Sequence, residues 1–280
     1  MTSPAPQPQV RLAVLGANGR MGRAVVRIAH AAGIHVVCAL GVGDEGRDAG
    51  ELAGIGAIGT KVVADAGALA RSGANVLVDF SAPAALVNAT AICAAAGIAI
   101  VSGTTGLDDA AKGVLDLAAS KSAVLWEPNM SIGVHVLASL VEKAMVALGP
   151  SFDVEVVEVH HRAKVDAPSG TAIRLGDVVK NARDGRYVHG REGRPGPRKA
   201  DEVGMHAVRG GDVIGDHTVF FFGDGERIEL THRASSRDLF AHGAVRAASW
   251  IAGKPAGRYR LADLVGPPVP SLLRSEPPQA

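Results

Sequence analysis

Apolar and polar positions follow two rhythms along this chain, and the rhythm changes near residue 130. Before that point short apolar runs recur at Val10–Leu15, Val36–Leu40, Val76–Phe80, Ile98–Val101 and Ala123–Trp126, most of them separated by stretches with helical spacing. Apolar runs without a polar face predict strands buried on both sides, and their alternation with helices predicts a parallel sheet covered by helices. After Asn129 a helix-like segment, Ile132–Leu148, leads into the apolar-polar alternation of "DVEVVEVH" and then into strand-like "MHAVRG", "HTVFFF" and "RIELTHR". That pattern predicts a separate α+β domain.

The turn after the first run carries the first chemistry. Gly16, Gly19 and Gly22 stand in G-x-x-G-x-x-G between a strand and a helix that runs to Gly33. Glycines at this spacing allow a tight turn, a close approach to a pyrophosphate and packing of the helix on the sheet, while the helix N-terminus binds the phosphates. A glycine-rich turn without a ligand would read the same in isolation, and the surrounding parallel sheet favours the dinucleotide reading of a Rossmann-like α/β domain. Ser81 with Pro83 predicts a helix start, and "SGTTG" (102–106) predicts a polar loop at the carboxyl edge of the sheet, where such sheets bind ligands. The acidic residue that usually takes the adenosine ribose is missing, since Gly41 and Val42 hold its place. Asp44, Glu45 and Arg47 lie just beyond and read as a mobile turn. A carboxylate introduced at Gly41 would be expected to favour NADH.

With 280 residues, 47% of them hydrophobic, two modest cores are the expectation. A formal net charge of +1 speaks against a nucleic-acid surface or a polybasic membrane anchor. Cys38 and Cys93 sit in apolar runs and read as buried thiols suited to a reducing cytoplasm. No basic-then-apolar leader and no uninterrupted apolar stretch of membrane length is visible, so a cytoplasmic protein is expected. The proline-rich ends, including 269–280, read as disordered tails. The Gly/Pro/Arg-rich stretch 184–204 reads as a long loop on the substrate side rather than a nucleic-acid patch, because the chain is near neutral and Tyr187 alone does not interleave these charges with aromatics.

The densest chemistry is in "HHRAKVDAPSGTA", 160–172. Adjacent strand residues point to opposite faces, so His160 and His161 share a cleft only if the strand ends there. Pro168 disfavours helix at Ala167, and Ser169 then caps a helix whose first amides, Gly170 and Thr171, are free to bind an anion. Lys164 adds an ammonium and His161 a further donor, so the arrangement suits a carboxylate. His160 is the candidate proton donor. Two adjacent histidines without cysteine or matched carboxylate spacing do not make a zinc site, and Ser169 lacks a nucleophile elbow.

Together "GANGRMG", "DFSAP", "SGTTG" and "EVHHRAKVDAPSGTA" resemble the 4-hydroxy-tetrahydrodipicolinate (dihydrodipicolinate) reductase family over nearly the whole chain. The histidine block is the specific part of that resemblance. It implies a reductase of lysine and diaminopimelate biosynthesis that moves hydride from NADH or NADPH to a cyclic imine with two carboxylates. By the same resemblance His160 and Lys164 are catalytic, and His161, Gly170 and Thr171 bind substrate. The cofactor positions are Gly16, Ala17, Asn18, Gly19, Arg20 and Met21, then Gly103, Thr104 and Thr105, then Glu127, Pro128, Asn129 and Met130. It further implies a dinucleotide domain of 1–130 and 241–268, a substrate and oligomerisation domain of 131–240, and a homotetramer. The departure at Gly41 and Val42 leaves the NADH or NADPH preference open. Two other readings stand beside it: a two-domain oxidoreductase of another substrate, and a cofactor-binding redox sensor without turnover.

Overall fold

The computed structural model describes residues 9–266. Residues 1–8 and the tail 269–280, both expected to be disordered, lie outside them. The chain begins with β1 (Arg11–Leu15), α1 (Arg20–Ala31) and β2 (His35–Leu40), followed by the short α2 (Ala49–Leu52), β3 (Val62–Val63) and α3 (Ala68–Arg71). Next come β4 (Val76–Asp79), α4 (Pro83–Ala96), β5 (Ala99–Ser102), α5 (Asp109–Ala118) and β6 (Ala123–Trp126). A second group holds α6 (Ile132–Leu148), β7 (Asp153–His160), α7 (Gly170–Arg183), β8 (Arg186–His189), β9 (Glu202–Arg209), β10 (Gly215–Gly223) and β11 (Glu226–Ala234). The chain then returns through α8 (Asp238–Ile251), β12 (Gly257–Tyr259) and α9 (Leu261–Val265).

The first sheet is parallel throughout, in the order β12-β6-β5-β4-β1-β2-β3. Its continuous apolar runs have a direct cause. Leu12, Val14, Val78 and Val101 face one core with α1 and α8, while Ala13, Leu15, Leu77 and Ile100 face another with α4 and α5. Both faces of every central strand are therefore buried. The cysteines follow this logic: Cys38 and Cys93 are buried, and burial pushes their thiols up to about 11 and about 12.

The second sheet is mixed, in the order β11-β10-β7-β9-β8. Along its central strand β7 burial alternates strictly: Val154, Val156, Glu158 and His160 point toward α6 and α7, and the residues between them point outward. By length and composition α6, counted with the short turn after it, could cross a membrane (mean hydropathy 1.5), yet it lays Leu137, Val141 and Met145 into this core.

Three expectations need correction. The stretch 184–204 is not a substrate-side loop: it contains β8, and Arg191 and Arg198 reach Glu155 on the outward face of the sheet. Arg191 binds both oxygens of Glu155 at 2.9 Å and Arg198 adds a bond of 3.0 Å. Burial works to raise the Glu155 carboxyl, but bonds from Arg191, His206 and Arg198 prevail and bring it to about 2. Ser81 does not cap α4, which starts at Pro83 without a side-chain cap; its hydroxyl turns to Asp79 instead. The segment 41–47 is not a loose turn, for reasons that belong to the site.

Candidate active site

The fingerprint turn fits a pyrophosphate. Gly16 has φ +79°, and a Cβ on Gly22 would lie 2.0 Å from the Gly16 carbonyl oxygen, so this crossing of turn and helix admits no side chain. Helix α1 has no side-chain cap and no acidic residue in its first turn, which leaves the amides of Arg20, Met21 and Gly22 free at its positive end. Ala17 is buried beneath the turn.

Asn18 ties this turn to the loop after β2. Its Nδ2 donates to the Val42 carbonyl at 2.7 Å and to Asp44 Oδ2 at 3.2 Å. Arg47 also donates to Asp44 at 2.7 Å, and Arg23 lies 3.9 Å away. The bonds from Asn18 and Arg47 hold the Asp44 carboxyl below its ordinary range. The expected mobile turn is thus a pinned carboxylate flanked by two guanidinium groups. Gly41 has its own steric reason, since a Cβ there would lie 2.3 Å from Asn18 Oδ1. A glutamate at 41 would push away the residue that organises the loop, so it is not the clean selectivity switch the sequence suggested.

At the carboxyl edge Asp79 is a buried hub. Ser102 Oγ and Thr104 Oγ1 each donate to it at 2.6 Å, and Ser81 N at 3.0 Å. Burial raises its carboxyl against the pull of these donors. This hub fixes the 102–106 loop, and Trp126 Nε1 secures it further by donating to the Thr104 carbonyl at 2.8 Å. Gly103 and Thr105 face the cleft, whereas the Thr104 side chain serves the hub. Glu127 is likewise turned inward: it accepts from the Leu261 amide at 3.3 Å and faces Arg174 at 3.5 Å.

Across the cleft β7 ends at His160, which lets His161 turn out of the strand beside it. Helix α7 begins as expected, with Ser169 Oγ accepting from the Ala172 amide at 3.1 Å. Lys164 Nζ pairs with Asp166 Oδ1 at 2.6 Å. His160 is 8% exposed, with Nδ1 bonded to the fully buried Glu158. Glu158 also receives both arms of Arg209 at 2.8 Å and the Ser169 amide at 3.0 Å. His217 meets the His160 ring edge-on at 5.1 Å, and burial followed by the nearness of His160 pulls it down to about 4.

These parts meet in one cleft of about 580 Å³. Met21, Gly103, Thr105, Pro128, Asn129 and Met130 line it from the first sheet. His160, His161, Lys164, Gly170 and Thr171 line it from the second group of elements. Asn129 Nδ2 donates to Thr171 Oγ1 at 2.9 Å and joins the two sides. Gly16–Arg20, Thr104 and Glu127 stand outside the lining. A further hollow of about 660 Å³ between α1, α6 and α8 is lined by Ile28, Ile132, Leu239 and Val245 among others, and holds none of the fingerprint or His160-segment residues.

The sequence reading missed Arg174 and Arg237, which also line the cleft, and the Glu158–Arg209 pair behind it. Arg237 Nη2 lies 3.3 Å from His161 Nε2 and adds a cation to the rim of the cleft. Only Glu158 left a signal: it has the parity of Val154 and Val156, the buried face of β7.

A parallel dinucleotide sheet facing a basic, histidine-bearing cleft defines a two-domain pyridine-nucleotide reductase. Family models bear this out in name: "Dihydrodipicolinate reductase, N-terminus" matches residues 10–130 and "Dihydrodipicolinate reductase, C-terminus" matches 133–265. The chain belongs to the dihydrodipicolinate reductase family. It is 50% identical over 264 residues to the 4-hydroxy-tetrahydrodipicolinate reductase of Anaeromyxobacter sp., covering 92% of this chain and 98% of that one. To the enzyme of the same name from Acinetobacter baumannii it is 45% identical over 265 residues, covering 91% and 96%. In fold it is similar to the dipicolinate-bound dihydrodipicolinate reductase of Paenisporosarcina sp. TG-14, with TM-score 0.72, 23% identity and coverage of 90% and 98%. The activity is NAD(P)H-dependent reduction of 4-hydroxy-tetrahydrodipicolinate in lysine biosynthesis.

Proposed function

We propose that the cleft holds a dicarboxylate between the α7 amides and a cationic rim, with His160 as proton donor. The carrying observation is that residues from both halves of the chain converge on one space. One carboxylate of the substrate takes the free amides of Gly170 and Thr171 and the charge of Lys164, with His161 and Arg237 alongside. His160 presents Nε2 to the reacting centre, because Nδ1 is engaged by Glu158. The bound cofactor supplies the hydride. Around it Gly16–Met21 seat the pyrophosphate, and Gly103–Thr105 with Glu127–Met130 form the edge where the nicotinamide meets substrate, Thr104 and Glu127 acting as supports.

Turnover of freshly generated substrate with each cofactor tests this reading, and Lys164→Ala gives it a residue-level check. Lys164 has to exchange Asp166 for the substrate carboxylate and assist protonation, so its removal is expected to raise KM and lower kcat together, each by roughly tenfold or more. An unchanged KM would confine Lys164 to chemistry.

Asp44 accepts the ribose hydroxyls of NADH, while Arg23 and Arg47 offset its charge for the 2′-phosphate of NADPH. The two cofactors are expected to lie within roughly tenfold in kcat/KM, and Asp44→Ala should shift the ratio toward NADPH. A native ratio above about a hundredfold that survives this substitution would sink the assignment.

Residues 10–130 with the returning α8, β12 and α9 form the dinucleotide unit of this reading, since β12 joins the first sheet. The outward face of the second sheet supports a homotetramer: Val208 and Phe222 are exposed there, and Phe220 stacks on Phe222 at 5.7 Å. Two free, buried thiols go with a cytoplasmic setting.

A further inference from the structure

One carboxylate serves two parts of the site at once. Glu158 has no exposed surface, and a buried charge of this kind is costly unless it is paired on every side. Arg209 donates to each of its oxygens at 2.8 Å, the Ser169 amide donates to Oε1 at 3.0 Å, and His160 Nδ1 meets Oε2. Burial works to raise the carboxyl, but Arg209, His160 and the Ser169 amide prevail and hold it below its ordinary range. An ionised carboxylate only accepts, so Nδ1 must carry the hydrogen. Ser169 is the N-cap of α7, and the amides of Gly170 and Thr171 follow directly.

We propose that Glu158 is a positioning residue for the reduction: it holds His160 with Nδ1 as donor and Nε2 toward substrate, fixes the start of α7 through the Ser169 amide, and is itself held by Arg209. The inference rests on His160 being the proton donor. Among the described residues no other neighbour takes the role. His217 touches the ring edge-on and shares its hydrogen bond with Ser169 Oγ at 3.2 Å; Lys164 is engaged with Asp166, and His161 faces Arg237.

Glutamine at 158 separates the two tasks. Its carbonyl oxygen still accepts from the Ser169 amide, so the α7 start is kept. Its NH2 then faces Nδ1 and reverses that bond, which forbids the imidazolium with a hydrogen on each nitrogen; the neutral ring that remains carries its hydrogen on Nε2 but is too weak an acid to give it up.

The test is a double-substitution cycle of Glu158→Gln and His160→Gln, read as kcat, substrate KM and NADH affinity. Glu158→Gln alone is expected to lower kcat by roughly 10²-fold with KM and NADH affinity within about threefold. In the His160→Gln background the same change should alter kcat by less than about twofold, because the residue acts through the imidazole. A full-sized loss in that background, or a loss confined to KM, overturns the inference. A wild-type kcat for His160→Gln alone overturns instead the reading of His160 on which it rests. If Glu158→Gln does not fold, the nitrogen spectrum of histidine-labelled wild-type protein decides, with His160→Gln giving the assignment. A proton on Nδ1 of His160 is expected, and its absence overturns the proposal.

Discussion

His160→Gln is expected to reduce kcat by roughly 10²–10⁴-fold while NADH affinity stays within about twofold. Glutamine approximates the reach of the ring and can still donate a hydrogen bond, but it has no transferable proton at neutral pH. His160 lies at the end of β7 in the second sheet, whereas the turn proposed for the pyrophosphate joins β1 to α1 at the first sheet, so cofactor binding should not register the change. Steady-state rates with both cofactors, together with a fluorescence titration of NADH, check this. A wild-type kcat would remove His160 from the chemistry.

Gly22→Ala should have an effect of comparable size by a different route. The added methyl would lie 2.0 Å from the Gly16 carbonyl oxygen and 2.7 Å from Ala17 Cα, and both are backbone atoms that cannot swing aside. The turn has to open, which displaces the free amides of α1 from a phosphate. NADH affinity is expected to fall by roughly a hundredfold, and the strain to cost about 2–3 kcal/mol of stability in a denaturant melt. Gly113→Ala is the control: its Cβ meets nothing within 4 Å, so the same substitution in α5 should leave binding intact and raise stability slightly. Wild-type NADH affinity in Gly22→Ala would mean that this turn does not seat the pyrophosphate.

Much of the first sheet was legible because each central strand is apolar on both faces, a property written within a few consecutive residues. Leu12 and Val14 serve one core and Ala13 and Leu15 the other, and no distant partner is needed to see it. The His160 segment was legible for a similar reason: the strand end, the proline and the Ser169 cap are all local. What escaped depends on partners far apart in sequence. Glu158 has the parity of the buried face of β7, but what holds a charge there shows only when Arg209, 51 positions later, is brought against it. Asp44 reads as part of a mobile turn until Asn18, 26 positions earlier, pins it. The edge strands β3 and β12 are too short to show a period at all, and β8 is masked by the charged stretch around it.

The return of the chain has a consequence for biosynthesis. The apolar face of the first sheet that receives α8, and the open edge of β6 that receives β12, are translated before the second sheet, and their covers are translated after it. While the intervening residues emerge from the ribosome, the buried side of α8 (Ala244, Val245, Ala248 and Ile251) does not yet exist to cover Val78 and Val101. The nascent first sheet therefore remains an unfinished layer, with an unpaired edge and an apolar surface awaiting its cover, until α8 and β12 have followed the second sheet out of the ribosome. Completion is late by construction, and in that interval the growing chain is most exposed to aggregation and most in need of a chaperone.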